Sequence, residues 1–178
     1  MLVLASRSPR RREILQQAGI PFVVRPMDVD ETPFAGEAPR AYVTRIAREK
    51  ANAADGEIVL SADTTVAIDG EILAKPVDDA DARRMLRLLS GRRHEVLTGI
   101  CLRSATRVIE DCAETSVWFA PLSHEEIDDY AASGEPMDKA GGYAIQGLAS
   151  KFIQRIEGCY FNVMGLPVSM VYRHLREM

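Results

Sequence analysis

Ser6-Arg7-Ser8-Pro9-Arg10-Arg11-Arg12 places four arginines within six positions, directly behind the short apolar run Met1–Ala5. Ser8 suits a helix N-cap and Pro9 the first helical position, so Arg10 to Arg12 fall in a first helical turn. Cations there face the positive end of the helix dipole, at a cost of a few tenths to ~1 kcal/mol each. A bound anion offsets that cost, because free backbone N–H groups and guanidinium forks both fit phosphate oxygens. The alternative is a solvated basic patch, partly neutralised by Glu13. A second feature is Ser61-Ala62-Asp63-Thr64-Thr65 inside the apolar, β-branched stretch Ile58–Ile68. A carboxylate is expensive to bury there unless it is paired or holds a metal, which makes Asp63 a candidate metal ligand or general base. The alternative is an aspartate at a strand end, bonded to local backbone.

Three weaker features could serve the same chemistry. Lys50 closes a second helix, and Lys75 stands before Pro76 with no structural need for its charge; each taken alone reads as structural or solvent-facing. Gly134 to Gly147 sets Glu135, Asp138, Lys139 and Gln146 among small residues that let backbone approach a ligand. The Gln146 amide there could read the edge of a base by paired hydrogen bonds. The alternative is an exposed loop with turn glycines. The acidic run Asp28, Asp30, Glu31 reads as a solvated loop, from which one carboxylate could complete a metal site with Asp63. His94, His124 and His174 are too far apart in sequence for a zinc motif, so carboxylates and phosphate oxygens would have to hold any metal, which points to Mg²⁺ or Mn²⁺. No serine–histidine or cysteine–histidine pairing marks a covalent nucleophile, and no P-loop or G-x-G-x-x-G is present. Metal-assisted attack of water on a phosphoanhydride is the chemistry left.

These residues need elements to hold them. Strands are expected at Met1–Ala5, Phe22–Arg25, Ile58–Ile68, Glu71–Leu73, Glu95–Arg103, Arg107–Phe119 and Phe152–Ile156. Helices are expected over Pro9–Gln17 with Ile14, Leu15 and Ala18 on the apolar side, from Pro39 to about Ala54, after Asp78 through Leu89, after the Ser123–Glu126 capping box, and from Pro167 to the end. Asp69-Gly70 signals a hairpin turn. Helices alternate with strands at first and a long hairpin follows, so the expected fold class is α/β with a mixed, twisted sheet flanked by helices.

The 178 residues fit one domain, 1–178, with 47% hydrophobic and 27% charged residues. A net charge of −4 argues against a general nucleic-acid binder but leaves room for a local basic pocket. No run approaches the roughly 18 apolar residues of a membrane span, and no signal-peptide core is present, so a cytoplasmic protein is expected. Cys101, Cys112 and Cys159 are expected as free thiols, with a cross-strand contact between the first two as the alternative.

Several of these motifs, in this order, resemble the Maf family of nucleoside triphosphate pyrophosphatases. The resemblance rests on Leu4-Ala5-Ser6-Arg7-Ser8-Pro9-Arg10-Arg11, Ala62-Asp63-Thr64, Lys75-Pro76, Ser90-Gly91-Arg92 followed by His94-Glu95-Val96-Leu97-Thr98-Gly99, Ser133-Gly134-Glu135-Pro136 with Asp138-Lys139-Ala140-Gly141, and Asn162-Val163-Met164-Gly165-Leu166-Pro167. It runs from residue 2 to about 170. It implies two lobes around a deep cleft in an inosine triphosphatase-like architecture, often as a homodimer. It also implies hydrolysis of a nucleoside triphosphate between the α and β phosphates with a divalent cation. Asp63 falls at the family's catalytic aspartate. Arg10, Arg11, Lys50 and Lys75 fall at its phosphate-binding positions, with the triphosphate expected on the Ser8–Arg11 helix start; Glu135 and Lys139 lie in the long loop of the substrate site, and Glu31 falls at an acidic, metal-holding position. Arg11, Thr64 and Gln146 resemble the members acting on dTTP and UTP rather than those acting on 7-methyl-GTP. Cys159-Tyr160-Phe161 departs from the more polar residues of many relatives. A modified-purine pyrophosphatase and a non-catalytic nucleotide-binding regulator of cell division are the competing expectations.

Overall fold

The computed structural model describes residues 1–178. The strands are β1 (Leu2–Leu4), β2 (Phe22–Val24), β3 (Ile58–Ile68), β4 (Glu71–Leu73), β5 (Arg93–Ser104), β6 (Val108–Phe119) and β7 (Ile153–Glu157). The α-helices are α1 (Pro9–Gln17), α2 (Pro39–Ala53), α3 (Asp79–Leu89), α4 (His124–Ala132), α5 (Tyr160–Met164) and α6 (Val168–Leu175). One seven-stranded sheet runs through the molecule in the order β2-β1-β3-β5-β6-β7, with β4 hairpinned onto β3. The β1–β2 and β1–β3 pairings are parallel and those of β3 with β5, β5 with β6 and β6 with β7 are antiparallel, so the sheet is mixed as expected.

β3 organises everything around it. Alternate residues of a strand face opposite sides of the sheet. Leu60 and Ala62 join one core with β1, α1 and α6, whereas Val66 and Ile68 join a second core with α3, α4 and the end of β6. Thr64 lies between these two apolar cores on the same face. The opposite face, with Val59 and Ala67, is covered by Val43, Ile46 and Ala47 of α2. β3 is also bare along part of one edge. β1 pairs it only up to Leu60, and β4 begins only at Val66. The intervening residues, 61–65, are therefore where a cleft can reach the sheet backbone between the two cores.

Gly99 lies opposite Asp63 across the β3–β5 ladder, and a Cβ there would come within 2.4 Å of the Val43 carbonyl oxygen. An isolated glycine within a strand pattern signals such a close backbone approach. The glycine lets α2 sit directly on the sheet beside Asp63.

Three local expectations are corrected. Ala18 is the C-cap of α1 and is exposed, because Gly19 turns the chain away before another apolar turn forms. α5 was not anticipated; five residues without a side-chain cap are too short to show a helical period. The loop from Gly134 to Gly147 winds into 3₁₀ turns at Glu135–Asp138 and Ala140–Gly142, and a third follows at Leu148–Phe152. All three cysteines are free thiols as expected, and the alternative pairing is absent from the register: Cys101 faces Glu110 and Cys112 faces Gly99.

Candidate active site

A cleft of about 690 Å³ opens at the bare edge of β3, between the two cores. Ser8, Arg10, Arg11, Glu31, Lys50, Asp63, Thr64, Lys75, Lys139 and Gln146 all line it. Of the residues expected at the site, Glu135 alone does not. Its Oε1 accepts from the Tyr130 hydroxyl at 3.0 Å and its Oε2 from the Leu148 amide at 3.0 Å. The carboxylate ties the 3₁₀ turns to α4 and stands outside the cleft lining, unlike the other residues expected at the site.

Strand alternation sorts the central residues. Asp63 points toward α2, where Lys50 Nζ donates to Asp63 Oδ1 at 2.8 Å and lies 2.6 Å from Glu31 Oε1. Lys50 is 7% exposed and Asp63 7%. The lysine that looked unremarkable at a helix end is therefore a buried ammonium held between two carboxylates. No protein group donates to Asp63 Oδ2, which is left to the cleft. Burial pushes the Asp63 carboxyl above the usual carboxylate range, against the pull of Lys50 and Arg11, and the nearby Glu31 charge acts in the same direction as burial. Burial acts on Glu31 as well, but the Lys50 hydrogen bond and the charges of Lys50, Lys75 and Arg11 outweigh it and hold that carboxyl low. Two neighbouring carboxylates thus have opposite proton affinities, a separation that suits division of labour.

Thr64 points the other way, toward α1. Its Oγ1 accepts from Arg11 Nη2 at 3.0 Å and shares a 2.8 Å bond with Thr98 Oγ1. Arg11 also donates through Nε to the Gly165 carbonyl at 2.7 Å and through Nη1 to the Ala62 carbonyl at 2.8 Å and to Ser6 Oγ at 3.1 Å. The Ala62 carbonyl is available because β3 has no neighbour on that edge. Four of the five guanidinium N–H groups are used internally, and burial lowers the Arg11 pKa although Asp63 opposes it. Ser8 caps α1 by accepting from the Arg11 amide at 3.4 Å. The arginine turn is therefore built around one buried guanidinium rather than a set of equivalent ones. Arg10 lines the cleft without an internal partner, Arg12 is exposed outside it, and Arg7 lines the cleft while pairing with Asp28 at 2.6 Å.

The opposing rim differs in kind. Lys75 and Gln146 are exposed and lack hydrogen-bond or ion-pair partners, whereas Lys139 donates to the Glu135 carbonyl at 2.8 Å and to Asp138 Oδ1 at 2.6 Å. Gly141, at φ 68°, bonds its amide to the Ala74 carbonyl, and a Cβ there would strike Val66 at 2.6 Å. Only glycine lets this rim close onto β3.

Several residues support the site in roles that sequence reasoning did not assign to them. Asn162 is fully buried; its side-chain amide donates to the Val96 carbonyl at 3.0 Å and Thr115 Oγ1 at 2.9 Å, while its main-chain carbonyl accepts from Thr98 Oγ1 at 3.2 Å. This chain of bonds continues through Thr98 and Thr64 to Arg11. Tyr42 is buried on the inner side of α2, yet its hydroxyl donates to the Glu31 carbonyl at 2.9 Å. Gly99 was the one of these that carried a legible signal, a glycine inside a strand.

No group of three or more histidine, cysteine, aspartate or glutamate side chains converges as a metal cage. The available donors are the free Oδ2 of Asp63 and the carboxylate of Glu31, both oxygen. Mg²⁺ is commonly held by one or two carboxylates, with phosphate oxygens and water completing the shell. The donor set fits a hard divalent cation brought in with a polyphosphate.

Comparisons with known proteins follow the same lines. The family model described as Maf-like protein matches residues 1–178. A "dTTP/UTP pyrophosphatase" of Anaeromyxobacter dehalogenans (strain 2CP-C) is 56% identical over 180 residues, covering 99% of this chain and 93% of the relative. Relatives of the same name from Koribacter versatilis and Geobacter sulfurreducens are each 50% identical; the alignments cover 99% of this chain and 93% and 96% of those relatives. Among solved structures, the Staphylococcus aureus Ham1 protein matches with a TM-score of 0.57 at 14% identity, over 99% of this chain and 98% of that one. At that identity the match establishes shared architecture.

Proposed function

The chain belongs to the Maf-like protein family, and we propose that it hydrolyses dTTP and UTP between the α and β phosphates to the monophosphate and pyrophosphate. The observation that carries this reading is Asp63. It is a buried carboxylate of raised proton affinity with one oxygen free, in a cleft whose rim presents unpaired cations. Whole-length relatives named for this activity support it.

Arg10 and Lys75 receive the phosphate oxygens, and the first turn of α1, capped by Ser8, offers its amides to the same charge. Lys139 adds its remaining donor from the opposite rim. Lys50 stays between Glu31 and Asp63 and holds Asp63 Oδ1, which leaves Oδ2 turned to the attacking water. The water oxygen bonds to phosphorus as its proton passes to Asp63 Oδ2. The P–O bond to the bridging oxygen breaks, and pyrophosphate leaves with the electron pair. Asp63 and Glu31 would hold a divalent cation, which when bound supplies Lewis-acid polarisation of the phosphoanhydride. Gln146, with a free amide, selects the base. Thr64 acts through Arg11, since its hydroxyl is already committed. The reading carries with it a cytoplasmic homodimer.

Incubation with dTTP, UTP and 7-methyl-GTP, with Mg²⁺ or Mn²⁺, tests it. Equal amounts of monophosphate and pyrophosphate are expected, with kcat/KM highest for the pyrimidines. Release of orthophosphate alone, or binding without turnover, overturns the reaction. A higher kcat/KM for 7-methyl-GTP overturns the base preference.

A further inference from the structure

Residues 25–38, which carry Glu31, contain no helix or strand, so nothing in the sheet fixes that carboxylate beside Lys50. Side chains from α2 do so instead. The Tyr42 hydroxyl donates to the Glu31 main-chain carbonyl at 2.9 Å. One helical turn later, Arg45 grips Glu37 with two parallel bonds, Nε to Oε1 at 2.7 Å and Nη2 to Oε2 at 2.8 Å. Arg45 Nη2 also donates to the Thr32 carbonyl at 3.1 Å, and Nη1 lies 3.3 Å from Glu49 Oε1. Its guanidinium lies 3.9 Å over the Phe34 ring, and Glu37 Oε2 accepts from the Phe34 amide at 3.0 Å. Arg45 and Glu37 expose only 11% and 8% of their side chains, unusually little for a surface ion pair, and paired bidentate geometry in a shielded site is the strong form of this contact.

The carbonyls of Glu31 and its neighbour Thr32 are thus held from the helix that carries Lys50. Tyr42, Arg45 and Lys50 stand at i, i+3 and i+8, on one side of α2, and the same helix reaches Asp63 through Lys50. We propose that Tyr42 and Arg45 are positioning residues. They clamp the acidic segment onto α2 so that the Glu31 carboxylate stays at the Lys50–Asp63 pair. The inference rests on the proposed reaction for its catalytic consequence, but the clamp itself is measurable without turnover.

Two measurements on the full chain test it. Hydrogen exchange of the amides between Asp28 and Glu37 reads the clamp directly. Tyr42→Phe, which keeps the ring and loses one hydrogen bond, should raise exchange there about 3- to 10-fold, and Arg45→Gln by more, while amides of β3 stay protected. Unchanged exchange in both variants overturns the clamp. The second measurement is a double-mutant cycle on kcat. Tyr42→Phe should lower kcat about threefold in the wild-type background and leave it unchanged in Glu31→Gln, because the two act as one unit. An equal loss in both backgrounds assigns Tyr42 a general structural role and overturns the proposal. If Arg45→Gln does not fold, the Tyr42→Phe pair of measurements decides alone. A wild-type chain that releases no pyrophosphate refutes the proposed reaction, and the exchange measurement still reports on the clamp.

Discussion

The floor and the rim of the cleft use the same residue types to opposite ends. On the floor, Arg11 and Lys50 are each 7% exposed, and their donors are committed to carbonyls, hydroxyls and carboxylates of the protein. On the rim, Arg10 and Lys75 reach the cleft with no internal partner. A buried cation cannot be left without partners, so the fold surrounds it and it becomes part of the scaffold. A rim cation is solvated, costs little, and keeps its donors for a ligand. What separates the two sets is therefore how far each has been withdrawn from water. Lys139 lies between them, with two contacts of its own and one donor left.

The sharpest way to break this contrast is at Asp63, the floor carboxylate with a free oxygen. Asp63→Asn should lower kcat about 10³-fold, a loss of ~4 kcal/mol in transition-state stabilisation, in a pyrophosphate-release assay. Near wild-type turnover would remove Asp63 from the chemistry. Next is the floor arginine. Arg11→Ala strips the Gly165 and Ala62 carbonyls and the Thr64 hydroxyl of their donor, and should cost about 3 kcal/mol in urea unfolding. A loss of activity with unchanged stability would show that Arg11 belongs with the rim.

A third measurement concerns the rim's own support. Tyr143 lines the cleft, and its hydroxyl shares a 2.7 Å bond with Nε2 of the fully buried His94. Burial pushes the His94 pKa down to about 3, from an ordinary value near 6.5. Between those pH values the unfolded chain holds a proton that the folded chain rejects, so stability is full above about pH 6.5 and falls as pH drops. The wild type should lose about 2 kcal/mol between pH 7 and pH 5, and His94→Gln should flatten that dependence. The same loss in the variant would clear His94 of it.

The smallest effects belong to the free cations. Arg10→Ala and Lys75→Ala should each raise KM about tenfold, ~1.4 kcal/mol, while thermal unfolding stays within ~0.5 kcal/mol of wild type. Destabilisation comparable to Arg11→Ala in either would dissolve the distinction between floor and rim.

Most of the elements could be read from local signals because the physics that sets them is local. Ser8 with Pro9, Asp78, and the Ser123–Glu126 box start helices at the residues observed, and Asp69-Gly70 turns the β3–β4 hairpin through two positive φ angles. α5 carried no such signal. Gln146 could be singled out because a lone amide in a loop rich in small residues stands out in composition, whereas Lys75, unremarkable alone, was placed only by the family resemblance. Lys50, Arg11 and Glu135 could not be weighed the same way, since a lysine at a helix end, one arginine among four and a glutamate in a glycine-rich loop read alike whether or not they are buried.

By itself the chain determined which residues could do chemistry and which elements would carry them, because caps, turns and periodicities depend on neighbours a few positions away. Tertiary structure decided what those residues became. Strand alternation sent Asp63 to α2 and Thr64 to α1, Gly99 let α2 settle beside them, and the bare edge of β3 left the Ala62 carbonyl for Arg11. Glu135 was turned to Tyr130 and Leu148, and Lys50 was drawn between two carboxylates. Each outcome depends on contacts between residues far apart in sequence and on withdrawal from water. Those set which groups meet and how tightly each holds its proton.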